Sequence, residues 1–293
     1  MILVFGSINV DLICPVPHLP QPGETVLGRD HALLPGGKGA NQALAARRAG
    51  SEVVLAGAIG RDPFASTALH LVRRDGVDTK LVREVDRPTG CAAILVSSSG
   101  ENAIAVSPGA NSAVRSGWVP DELLNAKTTL VAQMEVPFVE TAALIRRAQL
   151  RGVQCVLNVA PALPVDAALL PAIDVLVANE REAAALGPDA IELARRLQRG
   201  LVITRGAAGA IASLSDGRRL EVPALPVDAV DTTGAGDTFV GVLAASLDVG
   251  SNLEQALRRA SAAAGLVCLQ YGAQPAIPDA AAIDAAMARL TTS

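Results

Sequence analysis

The sequence predicts an α/β fold: one main domain on a mostly parallel sheet, with a smaller β-sheet set apart as a lid. Three observations lead there. From about residue 129, short apolar runs alternate with helix-length segments, the pattern of βα units feeding a parallel sheet. The first apolar run, Ile2 to Gly6, contains no polar side chain, as expected of a buried central strand. Residues 12–34 and 90–107 depart from this pattern, the first through repeated prolines and the second through a hairpin signal, and are assigned to the lid. With 293 residues, half of them hydrophobic, and no internal repeat or flexible linker, a single domain over 1–293 is expected.

Composition narrows the partners. A net charge of −4 argues against nucleic acid or an anionic membrane as the main partner. The first residues lack a basic stretch and meet Asp11 early, so no signal peptide is expected, and no apolar run approaches the roughly 18 residues of a membrane span. Cys14, Cys91, Cys155 and Cys268 are scattered without metal-ligand spacing, which fits reduced thiols in a cytoplasm. His18, His31 and His70 are isolated, leaving no Ser/His or Cys/His arrangement.

After the first strand come Asn9 and Asp11, two residues apart and therefore on one side of an extended segment. They read either as a ligand site at the carboxyl edge of a parallel sheet or as ordinary turn residues. Pro15, Pro17, Pro20 and Pro22 then break the chain, with short β-like pieces at 25–28 and 31–34. A helix is predicted over 44–48 with Gly50 closing it, a strand over 53–56, and a helix over 64–74 closed by Gly76. Strands over 91–97 and 102–106 flank Ser98-Ser99-Gly100-Glu101, a hairpin turn. In the second half, strands are predicted over 129–133, 153–159, 175–178 and 201–204, and a hairpin over 211–214 and 219–222. Helices follow over 138–151, 239–247, 253–268 and 280–290, with a loop at 272–275. Glu135, Asn179 and Arg205 to Gly209 lie just past strand ends, where α/β ligand sites form, although Glu135 or Asn179 alone would equally suit a helix cap or the surface.

Two glycine clusters carry the chemistry. Asp231-Thr232-Thr233-Gly234-Ala235-Gly236-Asp237-Thr238 opens into an apolar helix, so its amides and helix N-terminus form an anion site. Asp237 there is either a helix cap or a base that takes a proton from a hydroxyl attacking a phosphate. Gly36-Gly37-Lys38-Gly39-Ala40-Asn41-Gln42-Ala43 is neither a Walker A loop, lacking Ser or Thr after Lys38, nor a dinucleotide fingerprint, with Gln42 where a third glycine is needed. Only three of the 25 basic residues are lysines, which singles out Lys38 as a contact to a hydroxyl or phosphate, with a solvated loop lysine as the alternative.

On these motifs, together with Gly6 to Asp11, Gly109-Ala110-Asn111, Asn158 to Ala162 and Asn179 to Glu182, the chain resembles the PfkB family of carbohydrate kinases, most closely its ribokinase branch. The resemblance implies a ribokinase-like three-layer α/β/α fold and transfer of the ATP γ-phosphate to the 5-hydroxyl of D-ribose. It implies Asp237 as base, the amides of Gly234, Ala235 and Gly236 as anion hole, and Asn9, Asp11, Gly37, Lys38, Gly39, Asn41 and Glu135 as sugar contacts. It assigns Asn179, Thr204, Arg205, Gly206, Gly209, Gly236 and Ser261 to ATP, and Glu182 to Mg2+ through water. Asp231, Thr233, Val267, Gln270, Gly272 and Ala276 would hold a monovalent cation, usually K+, with Ala276 lacking the hydroxyl that many relatives have there. A homodimer joined through the lid is expected, because the small sheet has strand edges to cover. Kinases for 2-deoxyribose, fructose or a nucleoside, and a non-catalytic sugar or nucleotide sensor, are the competing readings.

Overall fold

The computed structural model describes residues 1–187 and 189–290. Its first half runs β1 (Ile2–Phe5), β2 (Asn9–Val16), β3 (Ala32–Gly36), α1 (Lys38–Arg48), β4 (Val53–Ile59), α2 (Pro63–Arg74), β5 (Asp78–Glu84), β6 (Gly90–Ser97) and β7 (Asn102–Ser107). The second runs β8 (Thr129–Ala132), α3 (Phe138–Gln149), β9 (Gln154–Asn158), β10 (Val175–Asn179), α4 (Glu180–Leu186), α5 (Ala190–Arg195), β11 (Gly200–Thr204), β12 (Ala210–Leu214) and β13 (Arg219–Val222). It closes with α6 (Ala235–Asp248), α7 (Leu253–Val267), α8 (Ala273–Ala276) and α9 (Ala280–Leu290).

Among the described residues, nine strands form one sheet in the order β13-β12-β11-β10-β9-β8-β1-β4-β5. It is parallel from β11 to β5; β12 and β13 add an antiparallel hairpin at the other end. The alternation of side chains along β1 explains the layers. Ile2 and Val4 join the core under α1, α2, α6 and α7, while Leu3 and Phe5 join the core under α3 and α5. A strand apolar at every position is thus one buried on both faces.

A second sheet of four strands, β3-β2-β6-β7, stands apart from the first. β2 pairs antiparallel with β3 and parallel with β6, which places Asp11 between Leu34 and Ala92. Asn9 and Asp11 therefore belong to the small sheet rather than to a turn at the end of β1. Residues 25–28 form no strand, and β3 lies at 32–36 rather than 31–34. Further elements escape the sequence pattern, among them the short helices α4 and α5. β5, whose residues are mostly polar and partly buried or exposed, is the edge strand of the main sheet, and α8 occupies the segment expected to be a loop.

Both helices begin inside the glycine clusters rather than after them. α1 starts at Lys38 rather than at residue 44, capped by Gly37 at φ 89°. α6 starts at Ala235 rather than 239, capped by Gly234 in the left-handed conformation. Glycine disfavours a helix by up to about 1 kcal/mol relative to alanine, but a Cβ on Gly39 would lie 2.6 Å from the Ser7 amide nitrogen. Backbone packed on backbone at the end of β1 overrides the intrinsic preference. No described helix is long and apolar enough to cross a membrane.

α1 and α6 cross closely at Gly241, where a Cβ would sit 2.5 Å from the Gln42 carbonyl oxygen and 2.6 Å from Ala45 Cβ. Gly241→Ala must separate the helices, and we expect a loss of about 1–3 kcal/mol of stability from overpacking. Denaturant unfolding measures this; a variant as stable as the parent would show that the crossing is looser than described.

Candidate active site

The carboxyl ends of the parallel strands and the N-termini of α1 and α6 converge on one side chain, Asp237. It lies in the first turn of α6, three residues after the Gly234 cap, so its carboxylate is not the N-cap. The group is buried, with 8% of the residue exposed. Asn41 Nδ2 donates to its Oδ2 at 2.8 Å, and Gln42 Nε2 donates to its Oδ1 at 3.0 Å. A buried carboxyl without hydrogen-bond partners would be strongly destabilising, so these two amides are what allows it to sit there.

The amides are anchored in turn. Gln42 Nε2 also approaches Asn158 Oδ1 at 3.1 Å, and Gln42 Oε1 accepts from Gln133 Nε2 at 2.6 Å. Asn158, at the end of β9, donates to the Val177 carbonyl of β10 at 3.1 Å. Glu135, just past β8, accepts from the Ser7 hydroxyl at 2.5 Å and from the Lys38 amide at 3.2 Å. Asn9 Oδ1 accepts from Asn111 Nδ2 at 2.7 Å, and Asn111 also pairs with both the N–H and the carbonyl of Ile8. The Gly109-Ala110-Asn111 motif thus serves to lock the start of β2.

Asp237 lines the first of two neighbouring cavities. One of about 220 Å³ is polar, with Lys38, Asn158, Asn179, Glu182, Gly234 and Asp237 in its wall. The other, about 650 Å³, is mostly apolar, bounded by Leu225, Val227, Phe239, Ala264 and neighbours, with Ser261 buried in its wall. Thr204 and Gly236 line both, so the two form one path along the sheet edge. Gly206 and Gly209 also border the larger cavity. The Ser261 hydroxyl donates to the Pro223 carbonyl at 2.6 Å. Asn179 caps α4 and Glu182 returns the bond, a reciprocal capping box that holds both at the mouth of the small cavity.

Not every expected residue converges. The Arg205 guanidinium turns from the cavity to an ion pair with Glu221 on β13 and to the Ala208 carbonyl. The Ala235 amide donates to the Thr232 carbonyl at 3.2 Å, within the turn. Asp231 ties its loop together: Oδ1 accepts from the Thr233 amide and hydroxyl at 2.9 and 2.6 Å, and Oδ2 from the Gly272 amide at 2.8 Å. Burial raises the Asp231 pKa, but these hydrogen bonds outweigh it and leave the carboxyl below its ordinary range. Val267 and Gln270 flank the turn after α7, and Ala276 is buried in α8. No group of three or more His, Cys, Asp or Glu among the described residues could hold a metal ion.

Sequence reasoning missed Ser7, Gln42, Gln133 and Asn158 as parts of the site. Gln42 was visible only as the residue that spoiled a dinucleotide fingerprint, and Gln133 as a polar residue ending an apolar strand.

The charges are crowded. Lys38 is held above its ordinary pKa chiefly by Asp237, against burial, with further help from Glu135, Glu182 and Asp11. Asp11 is pushed up to about 6, first by burial and then by Glu135 and Asp237, with Lys38 opposing. Glu182 is raised by burial, partly offset by the Asn179 amide and Lys38.

Comparison with known proteins gives consistent matches. Residues 1–280 match the model of the pfkB family carbohydrate kinases. A ribokinase of Lactococcus lactis is 34% identical over 293 residues, spanning 98% of this chain and 97% of that protein. The crystal structure of a Thermotoga maritima ribokinase superposes with a TM-score of 0.90 at 29% identity, covering 98% of this chain and 99% of the other. The Arabidopsis thaliana ribokinase complexed with ribose and ATP gives 0.89 at 28% identity, covering 98% of each chain.

The crowding around Asp11 is measurable without any ligand. Its folded pKa of about 6 lies above the ordinary 3.8, so the native state binds more protons than the unfolded one between those values. Stability must therefore fall as pH rises from about 4 through about 6, and stay reduced above. We expect Asp11→Asn to be more stable than the parent at pH 7–8 by about 1–3 kcal/mol, the worth of such a shift, and equal to it near pH 4. A parent more stable than the variant at pH 8 would contradict this.

Proposed function

The chain belongs to the pfkB family of carbohydrate kinases, and on that premise we propose that it is a ribokinase, transferring the γ-phosphate of ATP to the 5-hydroxyl of D-ribose. The observation that carries the reading is a buried carboxylate, Asp237, at the junction of a polar and an apolar cavity, beside a glycine turn that begins a helix. ATP fits with its base in the apolar cavity and its phosphates towards Gly234 and Gly236. The helix N-terminus there favours negative charge, and amides of the turn neutralise it on the moving phosphoryl group. Asp237 takes the proton of the attacking hydroxyl. Asn9, Asp11, Gly37, Lys38, Gly39, Asn41 and Glu135 hold the sugar, a set of carboxylates, amides and one ammonium suited to hydroxyl groups. Asn179, Thr204, Gly206, Gly209 and Ser261 face the nucleotide, while Arg205 braces its loop.

The donor chemistry also fits the ions. Glu182 and Asp237 border the small cavity with hard oxygens, and Glu182 is the residue we assign to Mg2+ through water. Mg2+ bound with ATP supplies charge neutralisation at the phosphates. The loop of Asp231, Thr233, Val267, Gln270, Gly272 and Ala276 offers one carboxylate and otherwise neutral oxygens, which suits a monovalent ion such as K+ better than a divalent one. Ala276 adds no side-chain oxygen, so the activation by K+ should be modest. The four free cysteines suit a reducing cytoplasm.

The small sheet serves as the lid that excludes water from the transfer within a single kinase domain. Its edge strand β7 is exposed along its whole length, with Ile104 56% and Val106 52% accessible. An uncovered apolar edge of this kind is commonly covered by another chain, and the partner we assign is a second copy, lid to lid. Light scattering at working concentration should give a dimer, and Ile104→Lys with Val106→Lys should shift it to monomer. A parent that is monomeric throughout would remove the dimer.

The direct test is ATP consumption with ribose, 2-deoxyribose, fructose, adenosine or no sugar, each with and without K+. Turnover should depend on ribose well above the others. Asp237→Asn should keep sugar and ATP binding but lose about 10²–10⁴-fold in turnover, the usual worth of a general base. Preference for another sugar would change the substrate assignment, and near-normal turnover of Asp237→Asn would remove the base.

A further inference from the structure

We propose that Gln42 is a positioning residue of the transfer reaction, holding the Asp237 carboxylate in one orientation through an amide that Asn158 keeps the right way round. The proposal rests on Asp237 as the base. Gln42 is completely buried, and both ends of its amide are taken up by protein groups, Asp237, Asn158 and Gln133. Asn41 differs: its Oδ1 has no partner among the described residues and can accept from a sugar hydroxyl, so this amide also answers to the ligand. Gln42 is the donor whose other bonds are all internal.

A glutamine amide can face either way, and only its neighbours decide. Here the decision starts at the backbone. The Val177 carbonyl can only accept, so Asn158 turns its Nδ2 there and its Oδ1 towards Gln42. Gln42 must therefore present Nε2 to Asn158, and the same Nε2 reaches Asp237 Oδ1 at 3.0 Å. From the other side, Gln133 Nε2 donates to Gln42 Oε1 at 2.6 Å, but Gln133 Oε1 has no partner among the described residues, so Gln133 follows Gln42 and the anchor is Asn158. Reversing the Gln42 amide would set an oxygen against two oxygens, Asp237 Oδ1 and Asn158 Oδ1. A short chain of hydrogen bonds thus carries the polarity of one peptide group of β10 to the proposed base on α6.

The charged groups around Asp237 are Lys38, Asp11 and Glu182. Lys38 is the one cation among these groups, so a further carboxylate would be poorly tolerated. Gln42→Glu introduces one at hydrogen-bond distance from Asp237, and the two must share a proton over part of the pH range.

The test is steady-state kinetics of Gln42→Leu and Gln42→Glu beside the parent, with ribose and ATP varied and pH scanned. We expect Gln42→Leu to lose about 10–100-fold in kcat, the scale of a misplaced catalytic group, with both KM values within about threefold. Gln42→Glu, which sets an oxygen against both Asp237 Oδ1 and Asn158 Oδ1, should move the acid limb of kcat to higher pH and stay about 10–100-fold below the parent on the alkaline side. A purely packing role would let Gln42→Glu regain the parent kcat on the alkaline side, and that result, or a Gln42→Leu kcat within about twofold of the parent, would overturn the proposal. Thermal unfolding and ATP titration confirm that each variant is folded; if Gln42→Leu is not, the isosteric Gln42→Glu profile decides. A parent that consumes ATP with none of the sugars would instead sink the kinase reading.

Discussion

A carboxylate buried at the start of a helix is the constraint on which the rest of this structure depends. As the proposed base, Asp237 needs desolvation, yet desolvation makes an unpartnered charge intolerable. Its partners come from another helix, nearly two hundred residues away in sequence, so α1 and α6 have to meet within hydrogen-bond reach at their N-terminal ends. Gly241 permits the crossing, and Gly39 lets α1 press against the end of β1. Glycines that would weaken an isolated helix therefore serve the fold by what they leave out. The parallel sheet supplies the remaining anchors, because parallel strands deliver all their carboxyl ends to one edge.

The same crowding sets the electrostatics. Asp11, Glu135, Glu182 and Asp237 surround one lysine, and the protein accepts a destabilised Asp11 in exchange for a carboxylate facing the site. Sites that trade stability for a poised group are common in enzymes. The apolar cavity beside this cluster is the complementary half: it offers area for a flat base and almost no charge, while the polar cavity offers charge and little area.

Much of this was legible in the sequence. The βα half follows from apolar runs bounded by glycine, since strands buried on both faces must be apolar throughout. The glycine clusters were recognised as sites leading into helices, but the helices start inside them rather than after them, because intrinsic propensity points the other way and only tertiary packing at Ser7 and Gln42 reverses it. β5 escaped because a polar edge strand lacks the buried signature. Gln42, Gln133 and Asn158 escaped because buried amides satisfy one another across 91 and 116 residues of chain, and no local pattern records such a pairing. Arg205 was assigned to the nucleotide through the resemblance, but its partner Glu221 lies on a hairpin strand whose register the sequence alone does not reveal.

The central claim is that the phosphoryl group passes from ATP to a sugar hydroxyl beside Asp237, with water kept out. Phosphorus NMR of the protein with ATP, Mg2+ and ribose reads this directly. The account predicts one new phosphomonoester resonance, coupled to the two protons of the sugar C5 methylene and growing in step with ADP. Inorganic phosphate growing in its place, or no change on adding ribose, would contradict it.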